Sequence, residues 1–205
     1  MVGAEPQEKS FGATSLLFQS VAAVSLVDRI PSGPASGPII ARAMRTLILI
    51  RHGKSSWADP ARPDRDRKLD SRGQRDAPEV GRRLARRGVR PDLIVSSPAR
   101  RARATARLIA AELPARHREI VVDERMYAAT PLDLLAVVQG LDKQLHCVML
   151  IGHNPGLSEF AHALCDEVAE LPTCGVAAME FDVQSWPEVG RETLASVDLD
   201  RPGKH

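Results

Sequence analysis

The chain has 205 residues, 43% hydrophobic and 26% charged, with a net charge of +2, enough for one domain with a substantial core. The charge is too small to argue for nucleic acid by itself, and aromatics at 3% leave few platforms for stacking bases. No run approaches the length of a membrane span. The basic residues are mostly arginine, which favours paired contacts to anions over diffuse charge. Cys147, Cys165 and Cys174 are an odd number without metal-ligand spacing, so they read as small core residues in a reducing, cytoplasmic compartment.

Residues 1–43 mix Gly, Ser, Pro and Ala around one modestly apolar run, Ser15 to Val27, preceded by Glu5 and Glu8 rather than by a basic start. Ile30 to Pro38 has linker composition. We expect a disordered extension there, or upstream sequence translated from a start codon assigned too early; a weak membrane or partner tether is the functional alternative. The folded domain is expected over 44–205. Leu47-Ile48-Leu49-Ile50 predicts a strand buried on both faces, running into Arg51-His52-Gly53. A polar loop, Trp57 to Lys68, follows. Ser71 with Gln74 makes a capping-box signature for a helix carrying Ala77, Val80, Leu84 and Ala85, with Pro78 either kinking it or marking its start. Arg82, Arg83, Arg86 and Arg87 fall on its polar side.

Asp92 to Ser96 is a second strand. Ser97 as N-cap and Pro98 at the first position open a helix to Leu113, buried along Ala102, Ala106, Ile109 and Leu113. Arg101 therefore falls by its first turn, beside free backbone donors and the positive dipole end. Ile120 to Val122 is a third strand. Thr130-Pro131-x-Asp133 caps a helix closed by Gly140. Cys147 to Ile151 is a fourth strand, ending at Gly152-His153; a helix from Leu157 to Glu167, a strand from Val176 to Phe181 and a short edge strand complete the chain. Strands alternating with helices predict an α/β sheet covered on both faces.

Arg51, His52, Arg101 and His153 thus converge at strand ends and one helix start, where open α/β sheets bind ligands. Two guanidiniums and two imidazoles suit a phosphoryl group: arginines neutralise and orient its oxygens, and an imidazole nitrogen can attack phosphorus. A metal site is the rival for two histidines, but no third or fourth ligand accompanies them, and two arginines would repel a cation. A core histidine explains either imidazole singly.

Arg51-His52-Gly53, Ser97-Pro98-x-x-Arg101-Ala102-x-x-Thr105 and Gly152-His153-Asn154-Pro155, in that order, resemble the histidine phosphatase superfamily with its phosphoglycerate-mutase-like fold. Arg51 to Trp57 and Leu171-Pro172-Thr173 most resemble the small SixA-type phosphohistidine phosphatases. The resemblance implies a three-layer α/β/α sandwich with a mostly parallel sheet, and no metal or other cofactor. It makes His52 the nucleophile, with Arg51, Arg101 and His153 binding and stabilising the phosphoryl group. Glu124-Arg125-Met126-Tyr127 matches the segment whose glutamate protonates the leaving group in larger members, so Glu124 is the candidate general acid; the bland alternative is an exposed loop carboxylate. Ala58 stands where mutase members place Asn, and only a short segment separates Tyr127 from His153, which leaves no room for the large helical insertion that recognises sugar phosphates. Both departures favour an open site.

The expectation is a metal-independent, SixA-like phosphatase working through a phosphohistidine intermediate on phosphohistidine proteins or phosphomonoesters. The enzymatic alternative is a phosphatase of small sugar or nucleotide phosphates. The non-enzymatic alternative, an anion- or RNA-binding module, needs Arg82, Arg83, Arg86, Arg87, Arg100, Arg103 and Arg107 on one continuous face. No nucleic acid or membrane partner is expected otherwise.

Overall fold

The computed structural model describes residues 44–114 and 120–203; the expectations for residues 1–43 lie outside the described residues. Strand β1 (Met44–Arg51) buries Leu47, Ile48, Leu49 and Ile50 completely. A strand points successive side chains to opposite faces, and here each face has its own cluster. Leu47 and Leu49 pack with Leu134, Val137, Leu157 and Phe160. Ile48 and Ile50 pack with Val80, Leu84, Ala106 and Ile109.

The remaining elements are α1 (Ser71–Arg86), β2 (Leu93–Ser96), α2 (Arg100–Glu112), β3 (Ile120–Val122), α3 (Pro131–Gln139), β4 (Cys147–Gly152), α4 (Gly156–Leu164), β5 (Val176–Asp182) and β6 (Leu194–Asp200). The sheet order is β3-β2-β4-β1-β5-β6. Its first four strands run parallel, and β5 and β6 continue it antiparallel. Helices α1 and α2 supply the cluster on one face, α3 and α4 that on the other: the expected three-layer α/β/α sandwich. Among the described residues no helix is long and apolar enough to cross a membrane.

Three local expectations shift. Helix α1 is capped by Asp70, not by Ser71: the Asp70 carboxylate accepts from the Gly73 amide at 2.8 Å, and Gln74 turns back to the Leu69 carbonyl. The helix then passes through Pro78 without a break. Helix α2 opens at Arg100 with Ala99 as its N-cap, which has no side-chain cap bond; the Ser97 hydroxyl lies 2.7 Å from His153 Nε2 and accepts from the Ala99 amide at 3.3 Å. Helix α4 stops at Leu164, where Cys165 turns extended and the Val168 carbonyl bonds back to His162. The Thr130–Asp133 capping box on α3 is as expected.

The arginines of α1 do not form a bare cationic face. Arg82 pairs with Glu79 and Glu112, Arg83 with Asp200 and Arg87 with Asp198. The continuous basic surface that the binding-module alternative requires is therefore interrupted by carboxylates.

Candidate active site

Parallel pairing of β1 with β4 places Arg51 opposite Gly152, so the residues that follow, His52 and His153, leave the sheet side by side. The His52 amide donates to the Gly152 carbonyl at 3.1 Å, and the two rings lie 4.8 Å apart between centroids. That spacing brings ring nitrogens of both within reach of a single phosphoryl group. Gly53 allows the close approach beneath His52: a Cβ there would meet Cys174 Sγ and the Gly73 backbone at 3.2 Å.

Each nitrogen of His52 has a defined task. Nδ1 lies 2.7 Å from the Gly53 carbonyl, which can only accept, so Nδ1 carries the proton and Nε2 keeps its lone pair. Arg101 Nε donates to that Nε2 at 3.2 Å, and Arg101 Nη2 lies 3.3 Å from His153 Nδ1. His153 Nε2 is 2.7 Å from the Ser97 hydroxyl. One buried guanidinium thus spans both imidazoles.

Burial holds His52 well below an ordinary imidazole, at about 4, and Arg101, Arg51 and Arg67 push the same way against the Gly53 hydrogen bond. Burial, then His52 and Arg101, lowers His153 to about 3. At neutral pH His52 is therefore an uncharged imidazole beside permanent cations.

Thr105 fastens the assembly: its hydroxyl accepts from the Gly53 amide at 3.0 Å and donates to the Arg101 carbonyl at 2.8 Å. Arg51 reaches outward, its Nη1 donating to the Leu171 carbonyl at 2.8 Å and to Glu170 at 3.2 Å. Its Nε is buried without a partner among the described residues, a donor that a phosphoryl oxygen would satisfy. Asn154 shares the Leu171 and Glu170 acceptors, so the segment after α4 is stitched to both strand ends.

Glu124 sits on the turn Glu124–Met126, exposed, with both oxygens on Arg65 Nη2 at 2.6 and 2.8 Å. Among the described hydrogen bonds none joins it to His52, Arg101 or His153. Sequence reasoning missed Asp64 and Tyr127. Asp64 bonds to Arg101, and Tyr127 lies edge-on to His153, 5.7 Å between centroids. No group of His, Cys, Asp and Glu among the described residues could hold a metal ion.

The model of the histidine phosphatase superfamily, branch 1, matches residues 47–127. An uncharacterized chloroplastic protein of Arabidopsis thaliana is 32% identical over 152 residues, 70% of this chain and 70% of its own. The chain belongs to the histidine phosphatase superfamily. As a phosphatase of this superfamily it also shares its fold with solved relatives. The SixA-type protein from Agrobacterium tumefaciens superposes with a TM-score of 0.66 at 28% identity, covering 77% of this chain and 98% of that one. A mycobacterial glucosyl-3-phosphoglycerate phosphatase gives 0.50 at 20% identity, over 77% and 97%. The three motifs Arg51–Gly53, Ser97–Thr105 and Gly152–Pro155 lie at strand ends and on the first turns of α2.

Proposed function

We propose that the protein is a metal-independent, SixA-like phosphatase that passes a phosphoryl group through His52, with phosphohistidine on a protein as its substrate. The observation that carries this reading is the His52 tautomer: the Gly53 carbonyl holds the proton on Nδ1 and leaves Nε2 unprotonated against Arg101. Nε2 attacks phosphorus, the bond to the leaving group breaks with its electron pair going to the departing atom, and His52 becomes the phosphoimidazolium. Arg51, Arg101 and, once it takes a proton beside the bound phosphoryl group, His153 bind the equatorial oxygens and stabilise their charge in transfer. Water then attacks phosphorus, the pair returns to Nε2, and phosphate leaves with both protons of the water. Glu124 is proposed as general acid for alkoxide leaving groups; a phosphoimidazolium needs none. Three unpaired thiols support a reducing, cytoplasmic compartment.

Hydrolysis of small phosphorylated metabolites is the second reading. A cleft of about 420 Å³ beside His153 supports it, as does the fold shared with glucosyl-3-phosphoglycerate phosphatase. Rapid quench with a labelled phosphohistidine peptide, in chelator, tests the proposal. An acid-labile, base-stable label on wild type and none on His52→Ala is the expected result. Phosphate release without any label would refute the covalent route, and hydrolysis of metabolite phosphates alone would favour the second reading.

A further inference from the structure

The mechanism above leaves Asp64 without a task, yet it is one of the most tightly held side chains at the site. Its Oδ2 accepts from Arg101 Nη2 at 2.8 Å and from the Tyr127 hydroxyl at 2.9 Å, and its Oδ1 from Arg67 Nη1 at 3.0 Å. Its carbonyl takes Arg101 Nη1 at 2.6 Å. The same Arg101 reaches both His52 and His153, so one guanidinium separates this carboxylate from the reacting nitrogen. Asp64 is half exposed and lines the cleft with Arg101, Tyr127, His153 and Glu159. The cleft therefore has a cationic floor and carboxylates on its wall.

That polarity sorts leaving groups. An alkoxide or phenoxide gains negative charge as it departs, and a fixed carboxylate opposes it. Phosphohistidine protonated on its distal nitrogen shifts by the same unit of charge but starts as a cation and ends neutral, so the carboxylate attracts it through the transition state and at no point repels it. Resting on the phosphohistidine reading above, we infer that Asp64 is a specificity-determining residue, accepting a hydrogen bond from the distal N–H of the substrate's phosphoimidazolium ring. His52 Nε2 forms the new bond to phosphorus. The substrate's P–N bond breaks, its pair returns to that ring nitrogen, and the imidazole leaves neutral, its distal N–H still donating to Asp64. No proton changes hands.

The groups that face Asp64 are consistent with this. Arg101 comes from α2, Arg67 from the same loop, Tyr127 from the turn after β3 and His153 from the end of β4; Glu159 of α4 lines the same cleft. Burial opposes ionisation of Asp64, but hydrogen bonds from Arg101 and Tyr127 outweigh it, with Arg67 assisting, and bring the carboxyl down to about 2. A group so acidic accepts hydrogen bonds at neutral pH and does not donate a proton.

The experiment compares wild type and Asp64→Asn on a phosphohistidine peptide and on p-nitrophenyl phosphate. Loss of the Arg101 pair lowers both rates. The ratio of kcat/KM for phosphohistidine over p-nitrophenyl phosphate is expected to fall about tenfold further, the weight of one nearby opposite charge. The alkaline limb of kcat, which reports the bound substrate's imidazolium, is expected to move to lower pH with phosphohistidine only. Equal losses on both substrates with an unmoved limb would make Asp64 a positioning residue for Arg101 and overturn the inference. Faster turnover of both would make it a competitor of the phosphoryl group and overturn it equally. Wild type active on p-nitrophenyl phosphate but inert on phosphohistidine would instead overturn the underlying reading, and this inference with it.

Discussion

The neutral His52 imidazole makes the fold acid-sensitive in a way that can be assigned to one side chain. Unfolded, the ring takes a proton as pH falls through its ordinary 6.5; folded, it resists until about 4. Between these values the unfolded chain binds the extra proton, so stability rises with pH there and is lost as pH falls from about 6.5 towards 4. In full the difference is worth about 3 kcal/mol, and about 2 kcal/mol of it is lost between pH 7 and pH 4.5. The perturbation is His52→Gln, which keeps the size of the side chain and removes the titration. Urea unfolding followed by far-ultraviolet circular dichroism at the two pH values gives the stability loss for each protein. Acid losses from groups remote from His52 cancel in the comparison, and His153, held lower by burial, titrates below this range, leaving His52→Gln about 2 kcal/mol less acid-sensitive than wild type. Equal losses for the two proteins would mean that His52 titrates normally in the fold, and the neutral-nucleophile reasoning would fail.

Three further outcomes follow from the geometry. Arg101→Lys should lower kcat about a hundredfold, the scale of one lost transition-state donor, since an ammonium cannot bridge His52, His153 and Asp64 as the planar fork does; steady-state kinetics near the wild-type rate would refute that role. Gly156→Ala puts a Cβ 1.8 Å from the Ala129 carbonyl, so about 1–3 kcal/mol of stability should be lost in thermal unfolding as α4 shifts; an unchanged melt would contradict the close approach. Glu124→Gln should slow an alkyl phosphomonoester more than p-nitrophenyl phosphate, whose leaving group needs no proton. Identical ratios would remove Glu124 from the chemistry.

The strand ends were legible because an uninterrupted aliphatic run has few uses other than a strand covered on both sides, and its last residue then fixes where polar side chains emerge. Leu47 to Ile50 and Cys147 to Ile151 carried that signal, and with them Arg51, His52 and His153. Arg101 was legible from its place near a helix start. Ser97 was read as a cap because serine before proline suits one, yet its hydroxyl serves His153, a partner 56 residues away. Asp64 lies in a run of alternating charges that is indistinguishable from a solvated loop until the chain path brings Arg101 and Tyr127 to it. The capping of α1 was misplaced by one residue because Asp70 and Ser71 are both good caps, and the carboxylate makes the bond.

The pairing of Arg51 with Gly152 has a consequence for motion. A slip of one residue between β1 and β4 would part His52 from His153, but it would also carry Leu47 and Leu49 into the cluster built for Ile48 and Ile50. Disarranging the two histidines along the strands therefore requires both halves of the core to come apart. The amides of β1 and β4 should accordingly exchange with solvent only through global unfolding, so His52 and His153 share the lifetime of the folded chain.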